Sequence, residues 1–445
     1  MSKISVSLAL SLLTLASGLF MTACENTTTT TNKTPDGTTA TTAANTTKTG
    51  NAKGLKIEGL KIGSLLPTTG DLASIGQQMV GSSPLLIDTV NTCGGVNGEK
   101  VSLVEVDDQT DPKAGAAGMT KLATVDKVAG VVGSFASSVS TAAISVATPN
   151  KVMLVSPGST SPVFTDKAQK GDFKSFWART APPDTYQALA LAQLAKKKGF
   201  KRVSTVVINN DYGVGFEKAF VQTFEKLGGT VVNKDKPVRY DPKAQTFDTE
   251  AGATFAGKPD AVLAVMYAET GSLFLKAAYQ QGLAKGVQIM LTDGVKSDSF
   301  PEQVGKSPDG KYLLSGAIGT VPGSDGKALA AFKKLWQEKK GGLPGEYAPQ
   351  AWDAAALLTL AAQAAKENTG VGIAGKIREV AGGEGTEVTD VCEGLKLLKE
   401  GKKINYQGAS GNVDVDANGD VVGVYDVWTV GDDGEIKVID KVSPK

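Results

Sequence analysis

From residue 55 onward, hydrophobic and polar positions divide the chain into short aliphatic runs and longer stretches of helical period. Residues 61–66, 100–107, 128–132 and 152–155 have strand length and are rich in Val, Ile and Leu; 75–91, 112–125 and 139–148 between them have helical spacing. That alternation predicts a parallel sheet covered by helices on both faces. A second series opens at Pro182-Pro183-Asp184, where Asp184 is a candidate N-cap for a helix reaching about residue 198. Strands at 202–208, 230–232, 261–266 and 288–291 then alternate with helices at 213–227, 245–256 and 270–283. A strand at 313–318 and three helices near 327–340, 348–367 and 389–400 follow. The closing segment, 413–430, reads as a hairpin turned at Asn418-Gly419. The expected fold class is α/β: two doubly wound parallel-sheet units whose strand carboxyl ends meet at a shared cleft, where folds of this class bind ligands.

The first residues obey a different pattern. Lys3 precedes an apolar run from 6 to 21, too short for a comfortable membrane span and suited to a secretory signal. The run ends in Met21-Thr22-Ala23-Cys24, which resembles the bacterial lipobox, with Met21 where leucine is commoner. The expectation is a signal peptide over 1–23, a lipid on Cys24 and attachment to the cell membrane on the periplasmic side. Residues 24–54 are mostly Thr, Asn, Ala, Gly and Lys, too polar to bury a core, and read as a disordered leash. With Cys24 lipidated, Cys93 and Cys392 are an even pair in an oxidising compartment, either bridged or two buried thiols.

Charge and composition then narrow the function. Lys+Arg number 47 and Asp+Glu 46 in 445 residues, a net charge of +1 with no basic block, so no nucleic-acid partner is expected. There is no histidine, which removes Ser-His-Asp and Cys-His catalysis and His-ligated zinc. Gly252 to Lys258 follows most of a phosphate-binding loop pattern, but Pro259 stands where Ser or Thr is needed and a helix precedes it where a strand belongs. Asp414 to Gly419 copies the start of a calcium loop but has Tyr425 at the twelfth position. No enzyme activity, cofactor or metal is expected.

What remains is a set of hydroxyls, carboxylates and tyrosines at predicted strand ends. Val131 to Val139 runs from a strand through Ser137 and Ser138 into a helix that either serine is expected to cap, where free N–H groups suit a carboxylate. The next strand ends in Ser156-Pro-Gly-Ser-Thr160-Ser-Pro162, which offers Gly158, Ser159 and Thr160 as candidates. On the second unit Asn209 to Gly213, Met266-Tyr267 and Thr292-Asp293-Gly294 hold similar positions. Tyr212 and Tyr267 suit a pocket wall, and an unpaired Asp293 suits a ligand ammonium.

Several stretches resemble the branched-chain amino-acid type of periplasmic binding protein, from about Lys56 to about Thr429. They are Ile62 to Gly70, Asn91 to Gly98, Val106 to Pro112, Ser156 to Pro162, Asp211-Tyr-Gly213 and Tyr406 to Gly411. Cyanobacterial binding proteins for neutral amino acids are the most similar members. The resemblance implies a two-lobed fold, with 55–183 plus 319–411 as the first lobe and 184–318 plus 412–445 as the second lobe and hinge return. It implies a free amino acid as ligand. The carboxylate would meet Ser137 and the backbone near Thr160; the ammonium would meet the Gly158 carbonyl, the Thr160 hydroxyl and Asp293. Tyr212 and Tyr267 would close over it, with Asp184 near the crossover. Permease and ATPase subunits of an ABC importer are the implied partners. Ile75 departs from an aromatic common in relatives. Thr110 and Ala136 replace a bridge found in some of them, which leaves Cys93–Cys392, both in the first lobe, as the bridge the resemblance allows. Urea, a short amide or a small carboxylate as ligand, or a sensory role, are the alternatives on the same fold.

Overall fold

The computed structural model describes residues 58–443. The expected signal peptide, Cys24 and leash lie outside the described residues.

Five parallel strands form the first sheet: β1 (Lys61–Leu66), β2 (Ser102–Asp107), β3 (Gly130–Gly133), β4 (Met153–Ser156) and β5 (Trp177–Arg179), in the order β2-β1-β3-β4-β5. The second sheet is built on β6 (Arg202–Ile208), β7 (Thr230–Val231), β8 (Val238–Tyr240), β9 (Ala261–Val265), β10 (Gln288–Leu291) and β11 (Ile318–Pro322). It repeats the same winding, with β7 and β8 both on the outer side of β6 and β9, β10 and β11 following on the other. Two parallel strands, β12 (Thr386–Val388) and β13 (Ile404–Tyr406), pair apart from both. The second sheet ends in the antiparallel pair β14 (Tyr425–Val430) and β15 (Ile436–Val442). β3, β4 and β9 are buried along their whole length, so they lack an alternating pattern, as strands covered on both faces do. The helix Ala348–Ala365 covers β3 and β4 and is buried almost all round. Among the described residues no helix is long and apolar enough to cross a membrane.

In both sheets the winding reverses beside the first strand. The loops after β1 and β3, and those after β6 and β9, therefore splay apart and leave a crevice. These four loops, with those after β4 and β10, carry the candidate residues.

Local differences from the expected elements have identifiable causes. The helix expected over 75–91 is two, Ala73–Met79 and Ser82–Thr92. Pro84 would block a continuous ladder, but in the first turn of a new helix its missing N–H costs nothing. The run at 313–318 is not a strand: Gly316 has φ +81°, and the strand begins at Ile318. This places 318–322 in the second sheet, past the expected lobe boundary. The expected hairpin at Asn418-Gly419 is absent. That turn is real, with the Asp416 carboxylate accepting from the Asn418 and Asp420 amides. However, its Gly419 carbonyl accepts from Arg179 N–H at 2.9 Å, so the loop docks on β5 of the first sheet. The hairpin is β14–β15, turned at 431–434.

The structure joins Cys93 and Cys392 in a disulfide with Cα atoms 5.8 Å apart. It ties Ser82–Thr92 to the helix Val391–Lys399, beside the first sheet.

Candidate functional site

The two sheets face each other with their strand carboxyl ends, and the candidate side chains gather between them. Ser137, Ser159, Thr160, Asp184, Tyr212, Tyr267 and Asp293 are all buried. Ser138 is half-buried and lines an open groove of about 560 Å³ with Asp71, Thr110 and Tyr267.

Ser137 is the first residue of the helix Ser137–Ala147 rather than its cap; the N-cap position is Ala136, which has no side chain to offer. The amides at this helix start therefore keep no side-chain acceptor, contrary to the capping expected of Ser137 or Ser138. Ser137 Oγ instead accepts from Ser161 N–H at 3.3 Å, linking the loops after β3 and β4. Ser159 is also turned away from ligand duty: its hydroxyl reaches the Phe135 carbonyl at 3.0 Å and Ser140 Oγ at 2.8 Å. Gly158 is demanded by packing, since a Cβ there would lie 2.1 Å from the Phe135 ring. Arg179, fully buried, fixes this loop: its Nη1 donates to the Ser159 and Ser161 carbonyls at 2.9 and 3.0 Å, and Nη2 sits 2.7 Å from Asp420.

The two carboxylates are partnered otherwise than expected. Asp293 is not unpaired. It accepts from Tyr212 Oη at 2.8 Å on one oxygen and from Tyr347 Oη at 2.8 Å on the other. Tyr212 also reaches Thr292 Oγ1 at 2.7 Å and lies stacked on Tyr267 with centroids 5.6 Å apart. Asp184 was expected to cap its helix, but Pro183 holds the N-cap position and Asp184 starts the first turn. Neither oxygen of Asp184 has a partner in good hydrogen-bond geometry, and the same is true of Thr160 Oγ1 and of Tyr267 Oη. The Thr160 hydroxyl lies near enough to Asp184 to favour its charged form without closing a good bond. The Asp184 amide donates to the Thr160 carbonyl at 2.8 Å, so both side chains leave one fixed corner.

Burial pushes the Asp184 carboxyl well above the usual range, and the Asp293 charge pushes it further; the nearby Thr160 hydroxyl and the Arg179 charge act the other way. Asp293 is also raised by burial, against the pull of the Tyr212 and Tyr347 hydroxyls. Two carboxylates in one dry site resist joint ionisation. A cation between them would relieve both. The uncapped helix amides beside Ser137 are of the kind that can accept an anion.

Three contributors escaped the sequence. Tyr347 precedes a helix and not a strand end, and its φ of +62° turns its hydroxyl onto Asp293. Phe135 packs edge-on against it at 4.7 Å. Gln187, one turn after Asp184, donates to Thr320 and keeps its carbonyl oxygen free of partners. Its spacing from Asp184 on one helix was the only available signal.

Contacts between the sheets' loops flank this centre. Thr141 Oγ1 donates to Asp211 Oδ2 at 2.6 Å, Ser161 Oγ to the Asp211 carbonyl at 2.7 Å, and Lys296 Nζ pairs with Glu346 at 2.8 Å.

Comparison with known proteins places this geometry. The model of the receptor family ligand binding region matches residues 81–433. The chemotactic signal transduction system substrate-binding protein BasB of Halobacterium salinarum is 28% identical over 80% of this chain and 83% of its own. The Leu/Ile/Val-binding protein BraC3 of Rhizobium johnstonii is 29% identical over 61% of this chain and 71% of its own. Among solved structures, the leucine-binding protein LivK of Thermotoga maritima superposes with a TM-score of 0.71 at 26% identity, over 86% of this chain and 99% of its own. A solute-binding protein of Rhodopseudomonas palustris in complex with benzoate shares the fold at 20% identity and a TM-score of 0.67, over 87% of this chain and 97% of its own. The chain belongs to the receptor family ligand-binding region and is similar to proteins named as Leu/Ile/Val- and leucine-binding.

Proposed function

We propose that this protein captures a free α-amino acid between its lobes outside the cytoplasm and hands it to the permease of an ABC importer. The single observation that carries the ligand class is Asp184, a buried carboxylate with both oxygens unpartnered, set beside Thr160 and the tyrosine-held Asp293. An ammonium fits that corner. A carboxylate fits the uncapped start of Ser137–Ala147, and the apolar surface of Phe135 and Tyr347 suits a neutral side chain. Ser137 and Thr160 orient the ligand, Tyr212 and Tyr267 cover it from the second lobe, and Asp293 holds Tyr212 and Tyr347 while adding its charge. Contacts made only when the lobes meet favour the shut form, and ligand binding shifts the population toward it. Export, a lipid on Cys24 and a tether over 24–54 would keep the protein at the membrane beside its permease. Relatives named as Leu/Ile/Val-binding proteins support this reading.

The name of the Halobacterium relative favours a second reading, in which the shut form reports to a receptor. Benzoate-type ligands, bound by neighbours of the same fold, carry no cation and leave Asp184 unanswered.

A thermal-shift screen of the chain from residue 55 against amino acids, urea, amides and benzoate tests the ligand. An amino acid at about 100 times its Kd adds about 2.7 kcal/mol and raises Tm. A shift with benzoate or urea and none with any amino acid would sink the proposal.

A further inference from the structure

The helix Ala268–Gln280 of the second lobe starts directly after Tyr267, which holds the N-cap position with extended backbone and makes no side-chain capping bond. The first N–H groups of a helix have no intrahelical acceptor. Here an acceptor comes from the first lobe. Asp71, in the loop after β1, accepts the Thr270 amide on Oδ1 at 2.7 Å and the Thr270 hydroxyl on Oδ2 at 2.7 Å. The Glu269 amide faces the same carboxylate. One helix cap is thus shared between residues 199 positions apart, on opposite sides of the crevice. The capped turn carries Tyr267, whose ring stacks on Tyr212 over the Asp184–Asp293 corner.

We infer that Asp71 is a positioning residue that caps this helix from the opposite lobe and thereby ties the seat of Tyr267 to the meeting of the lobes. When the lobes part, Thr270 loses its acceptor and the turn bearing Tyr267 loosens. The cap therefore stabilises the shut form alone, without touching the ligand. The inference rests on the capture of a ligand by lobe closure proposed above.

Two measurements separate its failure from the failure of that reading. In the first, the mature chain and its Asp71→Ala and Asp71→Asn variants are titrated with L-leucine, with Kd and dissociation rate recorded. Asp71→Ala is expected to weaken binding roughly three- to thirtyfold, the range an N-cap side chain is worth, with the change in the dissociation rate. Asn caps as well as Asp, so Asp71→Asn should recover most of the loss. The Tm without ligand should stay unchanged in both. In the second, Thr141→Cys and Asp211→Cys lock the lobes together, and hydrogen exchange at the Thr270 amide is read with no ligand added. Adding Asp71→Ala to the locked protein should speed that exchange. Unchanged leucine affinity in Asp71→Ala while the parent binds overturns the inference, and so does unchanged Thr270 exchange in the locked protein. Faster exchange in the locked variant, with no amino acid bound by the parent, supports the shared cap and overturns the ligand reading instead.

Discussion

A buried carboxylate without donors has lost its hydration and gained nothing in return. Asp184 comes close to that position, with only the Thr160 hydroxyl near it, whereas Asp293 accepts a tyrosine hydroxyl on each oxygen. Substitution should separate the two. Asp184→Asn is expected to reduce amino-acid affinity by over ~2 kcal/mol, the scale of a lost charged partner, with little loss of Tm. Tyr347→Phe should cost less affinity, about 1 kcal/mol, since it frees one oxygen of Asp293 and keeps its charge. Isothermal titration of both variants checks the order; equal losses would mean that Asp293 is the primary ammonium partner. Arg179→Met leaves Asp420 buried without its cation and the Ser159–Ser161 carbonyls without a donor. A loss of about 3–5 kcal/mol in urea-denaturation stability is expected. The residue types of the site were legible because they cluster at strand ends. Their roles were not, because a sequence does not say which donors will reach a carboxylate. Asp184 follows two prolines and reads as a cap, and Tyr347, which completes the Asp293 pair, lies far from any strand end.

Elements were read best where apolar period and strand length agreed, as over β1 to β4 and at β6, β7, β9 and β10; β5 and β8, three residues each, were missed because so short a run shows no period. They were missed where glycine serves packing. The helix Gly370–Gly382 was not expected, because four of its residues are glycines and glycine argues against helix. Gly370 is there for close approach: a Cβ on it would lie 2.0 Å from the Lys151 carbonyl, so the helix start rests against the loop before β4. Gly370→Ala should therefore lower Tm. The Cys93–Cys392 bridge spans 299 residues and acts within the first lobe. In the chain-entropy account, closing so long a loop removes several kcal/mol of freedom from the unfolded chain. Replacing both cysteines by serine should cost about 2–5 kcal/mol in urea denaturation, with leucine affinity unchanged because the bridge is remote from the crevice.

At the scale of the whole molecule, carboxyls other than the Asp184–Asp293 pair set how stability responds to pH. Burial raises Asp353 to about 6, Asp108 to about 7 and Glu269 to about 7. Each binds a proton in the folded chain over a range where the unfolded chain has released it. Their stabilisation is complete below the ordinary carboxyl values near 4 and is lost as pH rises toward about 7. The urea midpoint should be higher at about pH 5 than at about pH 8, and Asp108→Asn should shrink the difference; a midpoint rising with pH would contradict this. The winding of the two sheets, read correctly from the sequence, also has a consequence in time. The five strands of the first sheet leave the ribosome by residue 179, yet the helix that roofs β3 and β4, Ala348–Ala365, follows the entire second series up to β11. Until that helix arrives, β3 and β4 lack the cover it gives them. The nascent chain cannot complete either its first core or its crevice early. A polypeptide made in this order completes its first core only late in its synthesis, which would suit the export across a membrane proposed above.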